Sequence, residues 1–81
     1  MIIEWTRGHI LLEMDGKLVM VYGEGLLVQP GEVCYIVYTN TIKKYESPYE
    51  YEMVKDNDKI RILDIIKNYA IEKDMAIEFE V

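Results

Sequence analysis

Ile10-Leu11-Leu12-Glu13-Met14-Asp15-Gly16-Lys17-Leu18-Val19-Met20-Val21-Tyr22 sets two apolar runs on either side of an Asp-Gly pair. Asp-Gly supplies the two successive positive-φ positions of a type I′ turn, so this stretch predicts an antiparallel hairpin. Upstream, Ile2 to Thr6 alternates and Arg7-Gly8 turns the chain into the hairpin. Downstream, Gly23-Glu24-Gly25 is expected to break the return strand as a bulge or bend. Leu26 to Gln29 then forms a short run before a Pro30-Gly31 turn.

Glu32 to Thr39 is apolar on both alternating sets, with Val33, Tyr35 and Val37 on one and Cys34, Ile36 and Tyr38 on the other. That pattern predicts a central strand covered on both faces. Asn40 begins another turn, and Thr41 to Tyr45 returns in extended or irregular form. Asp56-Asn57-Asp58 is a helix start, because these side chains accept hydrogen bonds from free amides and complement the dipole there. From about Asp58 to Glu72, Ile62, Ile65, Ile66 and Tyr69 recur at helical spacing, with Leu63 and Ala70 widening the stripe. Met75, Ile77, Phe79 and Val81 alternate with polar or small residues as a half-buried closing strand. The expected fold is α+β, a single domain over residues 1–81 with a mostly antiparallel sheet of four to six strands and one long helix on one face. One helix cannot cover both faces of such a sheet, so either curvature or another chain closes the second.

An 81-residue chain buries only roughly 60 to 65 per cent of its unfolded surface. The formal net charge of −6 repels phosphate backbones and anionic membrane surfaces, so neither nucleic acid nor membrane is an expected partner. A basic protein is the converse expectation. The chain has one cysteine, Cys34, which leaves no intramolecular disulfide or thiolate metal set. Met1-Ile2-Ile3-Glu4-Trp5 lacks the basic and apolar regions of a leader, and no run approaches a membrane span, so a cytoplasmic location is expected.

Catalytic chemistry finds little to use. His9 is the only histidine, which leaves no Ser-His-Asp or Cys-His set and makes it a strand-end structural residue. Cys34, in the most apolar strand, reads as a neutral buried thiol. Asp56-x-Asp58 lacks the glycine and distal glutamate of a calcium loop, and Gly23-Glu24-Gly25 is too short to cradle phosphate. No enzyme activity, cofactor or metal is expected, and Trp5 is assigned to packing.

Five of the seven tyrosines lie between Tyr35 and Tyr51. Within that span, Tyr45-Glu46-Ser47-Pro48-Tyr49-Glu50-Tyr51-Glu52 interleaves rings with carboxylates. Residues 45 to 58 hold five acids and one lysine, and Pro48 keeps Ser47 extended, so the segment is a loop or edge strand. If it is extended, Tyr49 and Tyr51 lie on one side and Glu50 and Glu52 on the other. The rings then cap a sheet edge, or they anchor a basic partner that the acids steer in. Tyr45, Glu46, Tyr49, Glu50, Tyr51 and Glu52 are the candidate partner-binding residues.

Trp5-x-Arg7-Gly8, the hairpin, Gly23-Glu24, Tyr45-Glu46-x-Pro48, one helix and a terminal Ile77-Glu78-Phe79 occur in this order along nearly the whole chain. In this order they resemble the immunity protein 74 family of bacterial polymorphic and contact-dependent toxin systems. The resemblance implies an inhibitor that binds and neutralises a cognate toxin, a nuclease domain, inside the producing cell. It transfers no catalytic residue. The rival reading is a homo-oligomerising structural or interaction domain, a homodimer in the simplest case, whose uncovered sheet face meets its own copy.

Overall fold

A computed structural model describes residues 1–27 and 32–81. Among them the chain forms β1 (Ile2–Trp5), β2 (His9–Met14), β3 (Lys17–Gly25), β4 (Tyr35–Tyr38), a 3₁₀ turn (Thr39–Thr41), α1 (Asp56–Glu72) and β5 (Ile77–Glu80). The strands make one sheet in the order β1-β2-β3-β4-β5. The first three pairings are antiparallel and β4–β5 is parallel. A parallel neighbour needs a long crossover, and the connection carrying α1 supplies it. The class is α+β, as the hydrophobic pattern predicts.

The β2–β3 hairpin turns at Asp15 and Gly16, whose φ values are 56° and 79°. Pairing runs from Met14↔Lys17 to His9↔Tyr22. The predicted break at residues 23–25 does not occur. β3 continues to Gly25 and changes partner, with Gly23 opposite Val37 and Gly25 opposite Tyr35. Its other edge stays satisfied, since the Gly23 and Gly25 amides donate to the carbonyls of Gly8 and Arg7 at 3.1 and 2.8 Å. Glycine serves close approach here, because a Cβ on Gly23 would collide with the Tyr35 ring and the Ile36 carbonyl.

β4 is shorter than expected. Regular pairing begins at Tyr35 and ends where the chain tightens into the 3₁₀ turn, leaving Cys34 half-buried just outside it. Leu26 and Leu27 belong to no strand; the rest of the short run, Val28 and Gln29, and the Pro30-Gly31 turn lie outside the described residues. Tyr35 and Val37 are buried while Ile36 and Tyr38 are half-exposed. β4 is therefore covered on one face, not on two.

The core gathers Ile10, Leu12, Val19, Val21 and Val37 from the sheet and Ile62 and Ile66 from α1. Fully burying each such side chain contributes about 2 kcal/mol of transfer free energy. Trp5 packs as predicted, edge-on to Tyr35 at 5.1 Å and stacked on Tyr69 at 5.3 Å. α1 starts two residues earlier than its hydrophobic stripe suggests. Lys55 occupies the N-cap without a side-chain cap bond, and Asp56 and Asp58 lie in the first turn. Their charge still faces the positive end of the helix dipole.

Candidate functional site

The tyrosine-acid segment is a closed loop held on a framework. An isolated antiparallel bridge joins Lys44 to Met53. Inside it the Tyr49 amide donates to the Glu46 carbonyl and the Glu52 amide to the Tyr49 carbonyl, each at 2.9 Å. The Glu46 amide donates to the Leu18 carbonyl at 2.8 Å, which fastens the loop to β3. The Ser47–Pro48 peptide is cis. Because the backbone turns twice, the extended alternation of Tyr49 and Tyr51 against Glu50 and Glu52 does not form.

The six candidate residues separate into supports and presenters. Tyr45 is 4% exposed and belongs to the core. Its hydroxyl donates to Asp58 Oδ2 at 3.1 Å, and burial, then that bond, raises its pKa. Tyr45, expected at a partner surface, has its ring in the core and its hydroxyl bonded, and supports the loop from within. Tyr49 is half-buried against the core. Glu52 Oε2 lies 2.8 Å from Lys17 Nζ, and that ammonium also sits 5.0 Å and 5.3 Å from the ring centroids of Tyr45 and Tyr49. The Glu52 carboxylate raises the Lys17 pKa. Glu46 is half-buried, whereas Glu50 is exposed and Tyr51 is 78% exposed, with Met53 beside them at 67%.

Lys17 was not among the residues singled out from the sequence, and a signal for it existed. Positions 17, 19 and 21 share a face of β3, and the other two are core valines. A cation on that face requires a partner. A second tie runs from the hairpin turn to the helix, where Arg61 Nη1 and Nη2 donate to the two Asp15 oxygens at 2.8 and 3.1 Å. The guanidinium holds the Asp15 carboxyl below its ordinary pKa.

Elsewhere, a shallow groove of about 410 Å³ is lined by residues including Trp5, Arg7, Leu26, Cys34 and Tyr35. The Tyr35 hydroxyl is buried and, among the described residues, has no hydrogen-bond partner. Cys34 Sγ donates to the Ala76 carbonyl at 3.3 Å. His9 lies within 3.2 Å of Thr6 Oγ1 and 3.5 Å of Glu4 Oε2 at the strand end. Among the described residues, no group of three or more His, Cys, Asp or Glu side chains is placed to hold a metal ion. No described helix is long and apolar enough to cross a membrane.

The family model for Immunity protein 74 matches residues 2–80. The chain belongs to that family. No curated protein and no solved structure gives a significant match. Immunity protein 74 membership makes a toxin the partner and inhibition the role, and it changes how the loop is to be weighed. Tyr45 and the Lys17–Glu52 pair belong to the loop's framework, while Ser47, Pro48, Glu50 and Tyr51 are its exposed residues and Glu46 is half-buried.

Proposed function

We propose that this immunity protein neutralises a basic toxin domain, a nuclease, by covering the surface through which the toxin engages nucleic acid. The observation that carries this reading is the Immunity protein 74 match across residues 2–80. The net charge of −6 supports it, because an acidic surface competes with phosphate for the same cationic groups. Charge raises the rate of encounter, and buried aromatic anchors slow dissociation. Glu46, Glu50 and Tyr51 contribute the reachable part of that surface on the loop. Tyr45, Tyr49 and Glu52 act indirectly by holding it. The protein performs no chemistry on its partner and acts in the cytoplasm of the cell that makes the toxin.

Where a large secreted protein is encoded beside this gene, coexpression with its carboxy-terminal domain tests the reading. Growth is restored if the chain is the cognate inhibitor. Persistent killing, with the chain expressed and folded, rejects it. Reversing charge in Glu46→Lys/Glu50→Lys slows association with that domain; an unchanged rate removes the loop from the contact.

A further inference from the structure

The two faces of the sheet differ in chemistry. On the helix side, Ile10, Leu12, Val19, Val21, Tyr35 and Val37 are buried. On the other side, strand register sets Leu11 beside Met20, Leu18 beside Glu13, and Ile36 between Glu24 and Glu78. Tyr22 lies beside His9, Tyr38 beside Glu80, and Glu4 beside Leu11. Leu11, Leu18, Met20, Ile36 and Tyr38 are half-exposed, and Tyr22 is 54% exposed. The strand positions of this face carry five carboxylates, Glu4, Glu13, Glu24, Glu78 and Glu80, and no Lys or Arg.

We propose that this open face is the principal docking surface for the toxin, and that the toxin presents to it a cationic surface with an apolar centre. The inference rests on the reading that the chain binds a basic toxin, and it names where. Apolar side chains interspersed with and flanked by charge match the anatomy of a protein interface, in which desolvated anchors sit within a polar surround. Tyr22 is the most exposed of the apolar residues on these strand positions. Tyr38 is already oriented, since its hydroxyl donates to Glu24 Oε2 at 2.9 Å, and a ring fixed before binding loses less freedom on contact. The loop is fastened to the β3 edge of the same sheet, because the Glu46 amide bonds to the carbonyl of Leu18. Charge selects the occupant: a second copy seated face to face would oppose five carboxylates with five more, whereas a cationic protein neutralises them.

Binding kinetics with the toxin's carboxy-terminal domain test the proposal. Tyr22→Ala is expected to raise Kd at least about tenfold, mainly through faster dissociation. Glu24→Lys/Glu78→Lys is expected to raise Kd by about tenfold or more, mainly through slower association at low salt. Asp64→Lys/Glu72→Lys, on the exposed side of α1, makes the same change in net charge away from the face and leaves Kd within about threefold. Side-chain oxidation footprinting of the wild-type complex needs no variant and is expected to protect Met20 and Tyr22. Full affinity in both face variants, with loss in Glu50→Lys/Tyr51→Ala, overturns the proposal and assigns docking to the loop while leaving toxin binding intact. A wild-type chain that neither binds the domain nor restores growth removes the underlying reading, and the proposal with it. A wild-type dimer that Tyr22→Ala dissociates, with toxin binding unchanged, gives the face to a second copy and also overturns it.

Discussion

Gly23 and Tyr45 are governed by neighbours distant in the chain. A side chain at Gly23 has to displace both the Tyr35 ring and the Ile36 carbonyl, so Gly23→Ala is expected to destabilise by about 1–3 kcal/mol. Chemical denaturation measures it, and a cost near zero would show that the β3–β4 contact yields. Tyr45→Phe removes the bond to Asp58 and is expected to cost about 1 kcal/mol at neutral pH. It also alters the alkaline response. Burial raises the pKa of Tyr45 and Tyr35 above the ordinary 10.0, so the protonated forms belong to the fold. Their contribution is intact below pH 10 and is lost as pH rises from there through the raised values, because the unfolded chain ionises first. Tyr45→Phe therefore shows a shallower loss of stability above pH 10, measured by denaturation at stepped pH. Sequence could not place these residues: a strand glycine has one appearance whether it breaks a ladder or admits a ring, and the partner that satisfies the Tyr45 hydroxyl in the core, Asp58, lies thirteen positions on.

The hairpin and α1 were legible because their signals are local. Asp15-Gly16 adopts the positive φ values that the turn requires, and Ile62, Ile66 and Ala70 face the core at helical spacing. The loop was half legible. Its exposure of Glu50 and Tyr51 follows from composition, but its turned backbone is set by bonds to β3 and by the Lys17 clamp. Lys17→Met is therefore expected to speed amide exchange at Tyr49 and Glu52 while leaving the Leu12 and Val19 amides of the hairpin unchanged. Equal exchange in the two proteins would show that the clamp does not hold the loop. The tie between the hairpin turn and α1 responds to acid. Arg61 lowers the Asp15 pKa below 3.8, so the stability it adds is present above that value and is lost as pH falls through the lowered one. Asp15→Asn removes this part of the acid sensitivity, which denaturation at stepped pH below 4 would register.

For the molecule as a whole, composition announced an acidic, folded domain and the hydrophobic pattern its α+β class, and three of four strand pairings are antiparallel as expected. The parallel β4–β5 pairing was not read, because it depends on where the chain returns after α1 rather than on any short motif. The face left open was anticipated only as a question of coverage. Its five carboxylates lie on all strands except β4, and pairing alone brings them together. If that field captures a cationic toxin, raising ionic strength from about 0.01 M to about 1 M shortens the screening length roughly tenfold and slows association far more than it speeds dissociation. Stopped-flow kinetics separates the two, and a salt-independent association rate would mean that charge plays no steering part.

Alternation along β2 and β3 also shapes how this protein can change. Positions 10, 12 and 14 of β2 and 19 and 21 of β3 meet the core, while 9, 11 and 13 and 18, 20 and 22 look away from it. Stability and outward surface are thus carried in two interleaved registers of the same strands. A lineage can rewrite one without erasing the other, and a library randomised only at 11, 18, 20 and 22 is expected to stay largely folded while its inhibitory range drifts.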